Sequence, residues 1–174
     1  MKAATGSIDA RRRLTAGVGL LAVLWAGVLV ATPYLTAHPH SRQAGLAAAA
    51  VYVVGGVVCH QRSERSFHVW DRQVPVCARC SGLYAGAPLG IVGVFARRRA
   101  SSRRSQTVRH MWPLRRLRTI LIAVAVPTVA TVGVEVLGIA EPTNVGRAFS
   151  ALPLGFGVAW VVGVSLAGRV DEEA

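Results

Sequence analysis

Acidic residues are scarce in this chain, with 8 Asp and Glu among 174 residues against 20 Lys and Arg. Lysine is nearly missing as well, since 19 of those 20 cations are arginine. Charged residues amount to only 16%, where an ordinary soluble domain carries roughly 25%. That shortage excludes a typical water-facing surface. Cysteine is limited to three residues. An odd set of three forms at most one internal bridge, which excludes a disulfide-stapled secreted domain. Aromatics make up 6%, and the basic stretches lack interleaved aromatic side chains. The net charge of +12 therefore does not read as nucleic-acid binding. The cations lie between apolar runs, which suits residues that flank and anchor membrane spans.

What is abundant is apolar: 52% hydrophobic residues, together with 18 glycines, in a chain long enough for one domain. A basic tail, residues 1–13, precedes 19 uncharged residues at Leu14–Thr32. A bilayer core of about 30 Å needs about 20 helical residues. The run is longer than the apolar region of a signal peptide and no convincing cleavage site follows, so it reads as a retained span. Pro33–Gln43 reads as a polar turn, and Ala44–Val58 as a short span running into Cys59. Ser81–Ala96 is a further uncharged run in which Gly82, Gly86 and Gly90 form small-xxx-small repeats, a pattern that allows close helix approach. Arg97–Arg118 carries nine arginines and no acid, and reads as a loop with Trp112 and Pro113 marking an interfacial segment. Thr119–Ala140 and Ala148–Gly168 are the last two spans, joined by Glu141–Arg147, and Arg169–Ala174 is an acidic tail. Long apolar runs of this kind are helices in lipid. The expectation is an all-α polytopic bundle of five spans, a four-helix core plus one N-terminal helix, forming a single transmembrane domain over residues 14–168. With five spans, placing the nine-arginine loop inside gives 11 Lys/Arg inside against 9 outside. That arrangement is preferred because the loop is the densest cluster, and it puts the Cys59–Cys80 segment outside.

Chemistry concentrates in residues 59–80, which hold all three cysteines and two of the five histidines. Thiolates and imidazoles bind zinc in tetrahedral sets such as three Cys and one His. Cys77 and Cys80 form CxxC, Cys59 offers a third ligand, and His60 and His68 compete for the fourth place. The same residues allow a second reading. Cys77–Cys80 opens a helix next to Arg79, and both features stabilise thiolate. CxxC at the head of a membrane helix resembles the layout of quinone-linked disulfide-generating enzymes and vitamin K epoxide reductases, which implies a membrane thiol–disulfide oxidoreductase. A third class is a small transporter or assembly factor built on Glu135 and Arg147. Glu135 is the one acid inside an expected span, with Arg147 as its potential partner and Asn144 as a cap for the last helix. Arg62, Arg65, Arg72 and Arg79 either pair with Glu64 and Asp71 or bind an anionic lipid headgroup. Trp70 and Tyr84 read as interfacial aromatics.

The string Cys59-His60-Gln61, then Glu64-Arg65-Ser66-Phe67, then Pro75-Val76-Cys77-Ala78-Arg79-Cys80, Gly82, Tyr84 and Gly86 resembles the membrane-protein family catalogued as domain of unknown function 2085. Its pattern is CHQ, ERSF and PVCARCxGxYxG. An acid followed by TN and then R is a second family pattern, matched by Glu141-Pro142-Thr143-Asn144 and Arg147. The resemblance covers roughly residues 45–160, with the first span as an addition. Thr131 and Glu135 stand where the family usually has an Asp and a Gln. The resemblance implies an integral membrane protein and supplies no activity. Taken together, the expectation is a multi-pass protein of the cell membrane whose partners are the bilayer and its anionic lipids. Its metal site is structural, with zinc as the default ion.

Overall fold

The computed structural model describes residues 2–38, 41–103 and 114–168. Its helices are α1 (Lys2–Ala37), α2 (Arg42–Val58), α3 (Ala78–Arg103), α4 (Leu114–Val136) and α5 (Asn144–Gly168). Between α2 and α3, a single 3-10 turn at Ser63–Arg65 leads into an antiparallel pair of strands, β1 (Ser66–Val69) and β2 (Arg72–Cys77). The chain is therefore mostly helical but not all-α.

The hairpin departs from expectation because its signals are weak. Val69 pairs with Arg72, so the turn is the two residues Trp70 and Asp71, with φ of 54° and 56°. Such a turn normally uses Asn-Gly or Asp-Gly. Trp70 is held there by the Tyr34 ring, edge-on at 5.3 Å between centroids. On the inner side Val74 and Val76 bury against Leu29 of α1.

Helix ends also fall outside the apolar runs. The basic tail and residues 33–37 belong to α1, and Arg97–Arg103 and Leu114–Arg118 belong to α3 and α4. Ala, Leu and Arg are strong helix formers, so helix continues past the point where hydropathy stops. The interfacial segment at Trp112–Pro113 and the acidic tail lie outside the described residues. At the far end of α4, Gly138 (φ 65°) closes the helix, its N–H bonding Glu135 O at 3.2 Å while Ile139 N–H bonds Val134 O at 3.1 Å. That turn fixes where Glu135 sits.

The centre of the bundle is the parallel pair α3 and α5. A Cβ added at Gly82 would lie 2.0 Å from Ala148 O, at Gly86 2.3 Å from Leu152 O, and at Gly90 2.3 Å from Phe156 O. The small-xxx-small repeat thus forms the contact face between these two helices. α4 packs antiparallel to α5, with Val124 against Gly157 and Thr128 Oγ1 donating to Ser150 O at 2.8 Å. α1 runs antiparallel to α3, with Gly19 against Ile91 and Trp25 edge-on to Tyr84.

α1 ends next to the hairpin tip, where Ala37 and His38 lie beside Trp70. α2 packs along the hairpin. It ends at the hairpin base, where Cys59 meets Cys77. Tyr52 Oη donates to Gln73 O on the way. Among the described residues, three segments are long and apolar enough to cross a bilayer: Arg12–Ala37, Arg115–Val136 and Asn144–Leu166. α2, at 17 residues, is a shorter apolar helix.

Candidate metal centre and the adjoining arginine cluster

Three chain segments end at one point. α2 stops at Cys59, which turns to extended backbone (φ −148°, ψ 140°) while its N–H bonds Gly55 O. β2 ends at Cys77, and Cys80 lies in the first turn of α3. Gln61 locks the approach: its Nε2 donates to Tyr52 O at 2.7 Å and to Pro75 O at 2.6 Å. Gln73 Nε2 donates back to Gln61 O at 2.7 Å. A side chain at Gly55 would strike Pro75 O at 2.3 Å, so only glycine lets α2 come this close to β2.

The result brings Cys59, Cys77 and Cys80 together, with their three sulfurs all within 4.8 Å of one another. All three are free thiols, half-buried. The Cys77 N–H donates to Cys59 Sγ at 3.1 Å. Cys59 and Cys80 pack, with Trp25, Phe67 and Tyr84, against the buried core of Leu29, Val74 and Val76. The donor set is all sulfur, which suits a soft or borderline ion such as zinc. Tetrahedral thiolates at about 2.3 Å from zinc lie about 3.8 Å apart, so the sulfurs need close by no more than roughly an ångström. Hydrogen bonding from the Cys80 thiol, then from the Cys80, Cys59 and Arg79 groups nearby, holds the Cys77 thiol down to about 5 against the opposing effect of burial.

Neither histidine joins this group among the described residues. His60 is exposed although it follows Cys59 directly. His68 is exposed on β1, with its Nε2 3.2 Å from Ser63 Oγ. The expected set of three Cys and one His thus assembles here as the three sulfurs.

Beside the thiols lies a second cluster. Glu135 Oε1 meets Arg65 Nη2 at 3.0 Å and Arg147 Nη2 at 3.1 Å, and Oε2 meets Arg79 Nη2 at 2.5 Å. One carboxylate is thus shared by three guanidiniums from the hairpin approach, α3 and α5. The sequence pointed to Arg147 as partner, while Arg65 and Arg79 were expected either to pair within their own segment or to meet an anionic headgroup. Of the expected local pairs, Arg62–Glu64 forms at 4.0 Å with both side chains largely exposed. Asn144 is not the cap of α5. Thr143 takes that place, its Oγ1 accepting from Gly146 N–H at 3.1 Å. Asn144 instead donates from Nδ2 to Ser66 O at 3.0 Å and accepts at Oδ1 from Arg147 Nη1 at 3.0 Å. Thr131 stays within the helices, donating to Thr128 O at 2.9 Å beside Ser150 Oγ.

A family described as predicted membrane protein, DUF2085, matches residues 59–161. The chain belongs to this family. The DUF2085 match begins at Cys59 and takes in both clusters, while α1 and α2 precede it. An uncharacterized protein of Methanocaldococcus jannaschii is 40% identical over 42 residues, covering 24% of this chain and 27% of that protein. An uncharacterized protein of Methanothermobacter thermautotrophicus is 30% identical over 105 residues, covering 59% of this chain and 81% of that protein. The chain thus spans about a quarter of the first relative and most of the second. No solved structure matches.

The roles of Gln61, Gln73 and Tyr52 were not read from the sequence. Gln61 follows Cys59-His60 directly and was quoted in the family pattern, but a glutamine that only accepts and donates backbone bonds carries no spacing signal.

Proposed function

We propose that this membrane protein holds one thiophilic metal ion, zinc by default, on Cys59, Cys77 and Cys80, and that the ion is structural. The observation that carries the reading is the convergence of three sulfurs from α2, β2 and α3 within 4.8 Å. A bound ion ties the end of α2 and the end of β2 to the head of α3. Metal-binding energy then becomes folding energy for that joint. The Cys77 N–H bond to Cys59 Sγ is the kind of outer contact that orients a ligand sulfur. The fourth position falls to His60, the imidazole next to Cys59 in the chain, by a turn of the exposed residues that follow the helix end.

The membrane arrangement belongs to the same proposal. α3 lies parallel to α5 along their shared glycine face, so it crosses where α5 crosses. With α2 kept at one end, α1, α3, α4 and α5 make four crossings of the cell membrane. Segments 1–13 and 97–118 then share one face and carry 13 of the 20 Lys/Arg, which makes that face cytoplasmic. Both clusters sit at the opposite face.

The test compares the parent with Cys80→Ser for metal content and melting temperature in detergent. The reading expects the parent to carry metal, and the variant to lose both metal and several degrees of stability. A variant that loses metal with unchanged melting sinks the structural role. A second reading uses the same pair, favoured by its place at the head of α3. Cys77 and Cys80 join as a disulfide, and their two electrons and two protons reduce a quinone to quinol. A metal-free parent whose Cys77–Cys80 bridge cycles with added quinone selects that reading.

A further inference from the structure

We infer that the cavity between the hairpin and the α4–α5 connection binds a phosphate group. The cavity encloses about 410 Å³ and is lined by Arg65, Arg147, Asn144 and Thr143, with Glu64 and Glu141 also on its wall. That volume falls in the range of small-ligand sites.

Charge imbalance is the first ground. Three guanidiniums share one carboxylate, a formal excess of two positive charges around Glu135; with Glu64 facing Arg62, Glu141 on the cavity wall reduces that excess to one. Two of the three are well buried, with side-chain exposure of 8% for Arg147 and 20% for Arg79. Buried charge is costly unless paired and hydrogen-bonded. The Nε–H groups of Arg79 and Arg147 are sealed from solvent and meet no acceptor among the described residues. Each guanidinium offers five donors, so the cluster is short of acceptor oxygens; Arg65 and Arg147 are the members that line the cavity, and a phosphate group there meets their outer N–H groups.

The helix geometry is the second ground. α5, 25 residues long, opens onto this cavity with its positive end. Thr143 caps it, and Asn144 fastens it to Ser66 of the hairpin while fixing the Arg147 fork. Arg65 reaches the same cavity from the 3-10 turn and is 39% exposed. A ligand arriving from solvent or from the headgroup layer therefore meets Arg65 first and Arg147 behind it. Glu64 and Glu141 are exposed, and Glu64 faces Arg62 at 4.0 Å. Their charge at the wall disfavours a second negative charge on the ligand, so a phosphodiester monoanion suits the site better than a dianion. The proposal is independent of the metal reading, because none of these residues is a thiol ligand.

The experiment titrates full-length protein in a phosphate-free detergent with inorganic phosphate and, separately, with a soluble short-chain phosphatidylglycerol. Saturable binding is followed by calorimetry. Loss of one charge-assisted donor weakens binding about tenfold or more. Arg65→Gln is the first variant because Arg65 is the most exposed of the three. Arg65→Lys replaces it if the glutamine variant does not stay folded. Saturation by inorganic phosphate, weakened tenfold in the variant, supports a site for free phosphate. Saturation by the short-chain lipid alone, with the same weakening, supports a headgroup site. Absence of saturable binding by either probe, or binding that the variants leave unchanged, overturns the proposal.

Discussion

Replacing Glu135 by Gln removes the one negative charge among three arginines while keeping the side chain's size. Its carboxylate is 8% exposed, and so is the Arg147 side chain it contacts at 3.1 Å. Breaking a buried ion pair by removing one partner costs about 3–5 kcal/mol, because the other charge stays buried and unpaired. Gln keeps one acceptor oxygen, which favours the lower end, about 3 kcal/mol. For a chain of this size, each kcal/mol moves the melting temperature by roughly 2–4 °C. Glu135→Gln should therefore melt about 6–12 °C below the parent in detergent, followed by tryptophan fluorescence. Arg65→Gln is the internal control. Arg65 is 39% exposed, so its share of the cluster is closer to a surface pair, about 1 kcal/mol or less. Its melting temperature should fall by no more than roughly 4 °C. A Glu135→Gln melting within about 2 °C of the parent, or equal losses in the two variants, would refute the view that a buried carboxylate holds the three cations of the hairpin approach, α3 and α5 together.

Gly86→Ala should lower the melting temperature, because a methyl group 2.3 Å from Leu152 O forces α3 away from α5, and overpacking costs about 1–3 kcal/mol. Gly27→Ala, with nothing within 4 Å of the new methyl, should be neutral or slightly stabilising, so equal losses in both would contradict the packing account. Impermeant labelling of intact cells should place the N-terminus and the 97–118 segment on one face and the Cys59–Cys80 segment on the other; an N-terminus reached from the hairpin's face would restore an odd number of spans. His68→Ala should leave metal content unchanged, since His68 lies outside the sulfur cluster beside Ser63. Loss of metal in that variant would place His68 in the coordination shell.

The long helices were legible because hydropathy reports burial in lipid directly. The site's location was legible because thiols and imidazoles are rare and clustered in this chain. The packing of α2 was not. Ala44–Val58 has the composition of a short span, while the close contact of Gly55 with Pro75 and the bonds of Gln61 depend on residues far apart in sequence. Under the proposed four crossings the basic N-terminus and the arginine-rich loop share a face, where five spans would separate them. The hairpin escaped notice because its turn is Trp70-Asp71, residues without the usual glycine. Arg65 and Arg79 were expected beside Glu64 and Asp71, their neighbours in sequence. They reach Glu135 instead because the strand pair and the α4–α5 connection meet at the same level of the bundle. Neither histidine lies in the sulfur group as it stands, and both are exposed.

The most direct test of the central claim is the metal-to-protein ratio of chain purified without added metal or chelator, measured by elemental analysis together with a count of reactive thiols. The account predicts about one zinc or similar thiophilic ion per chain, with Cys59, Cys77 and Cys80 unreactive until a chelator removes it. A metal-free protein with three freely titrating thiols, or with a disulfide and one free thiol, would contradict it.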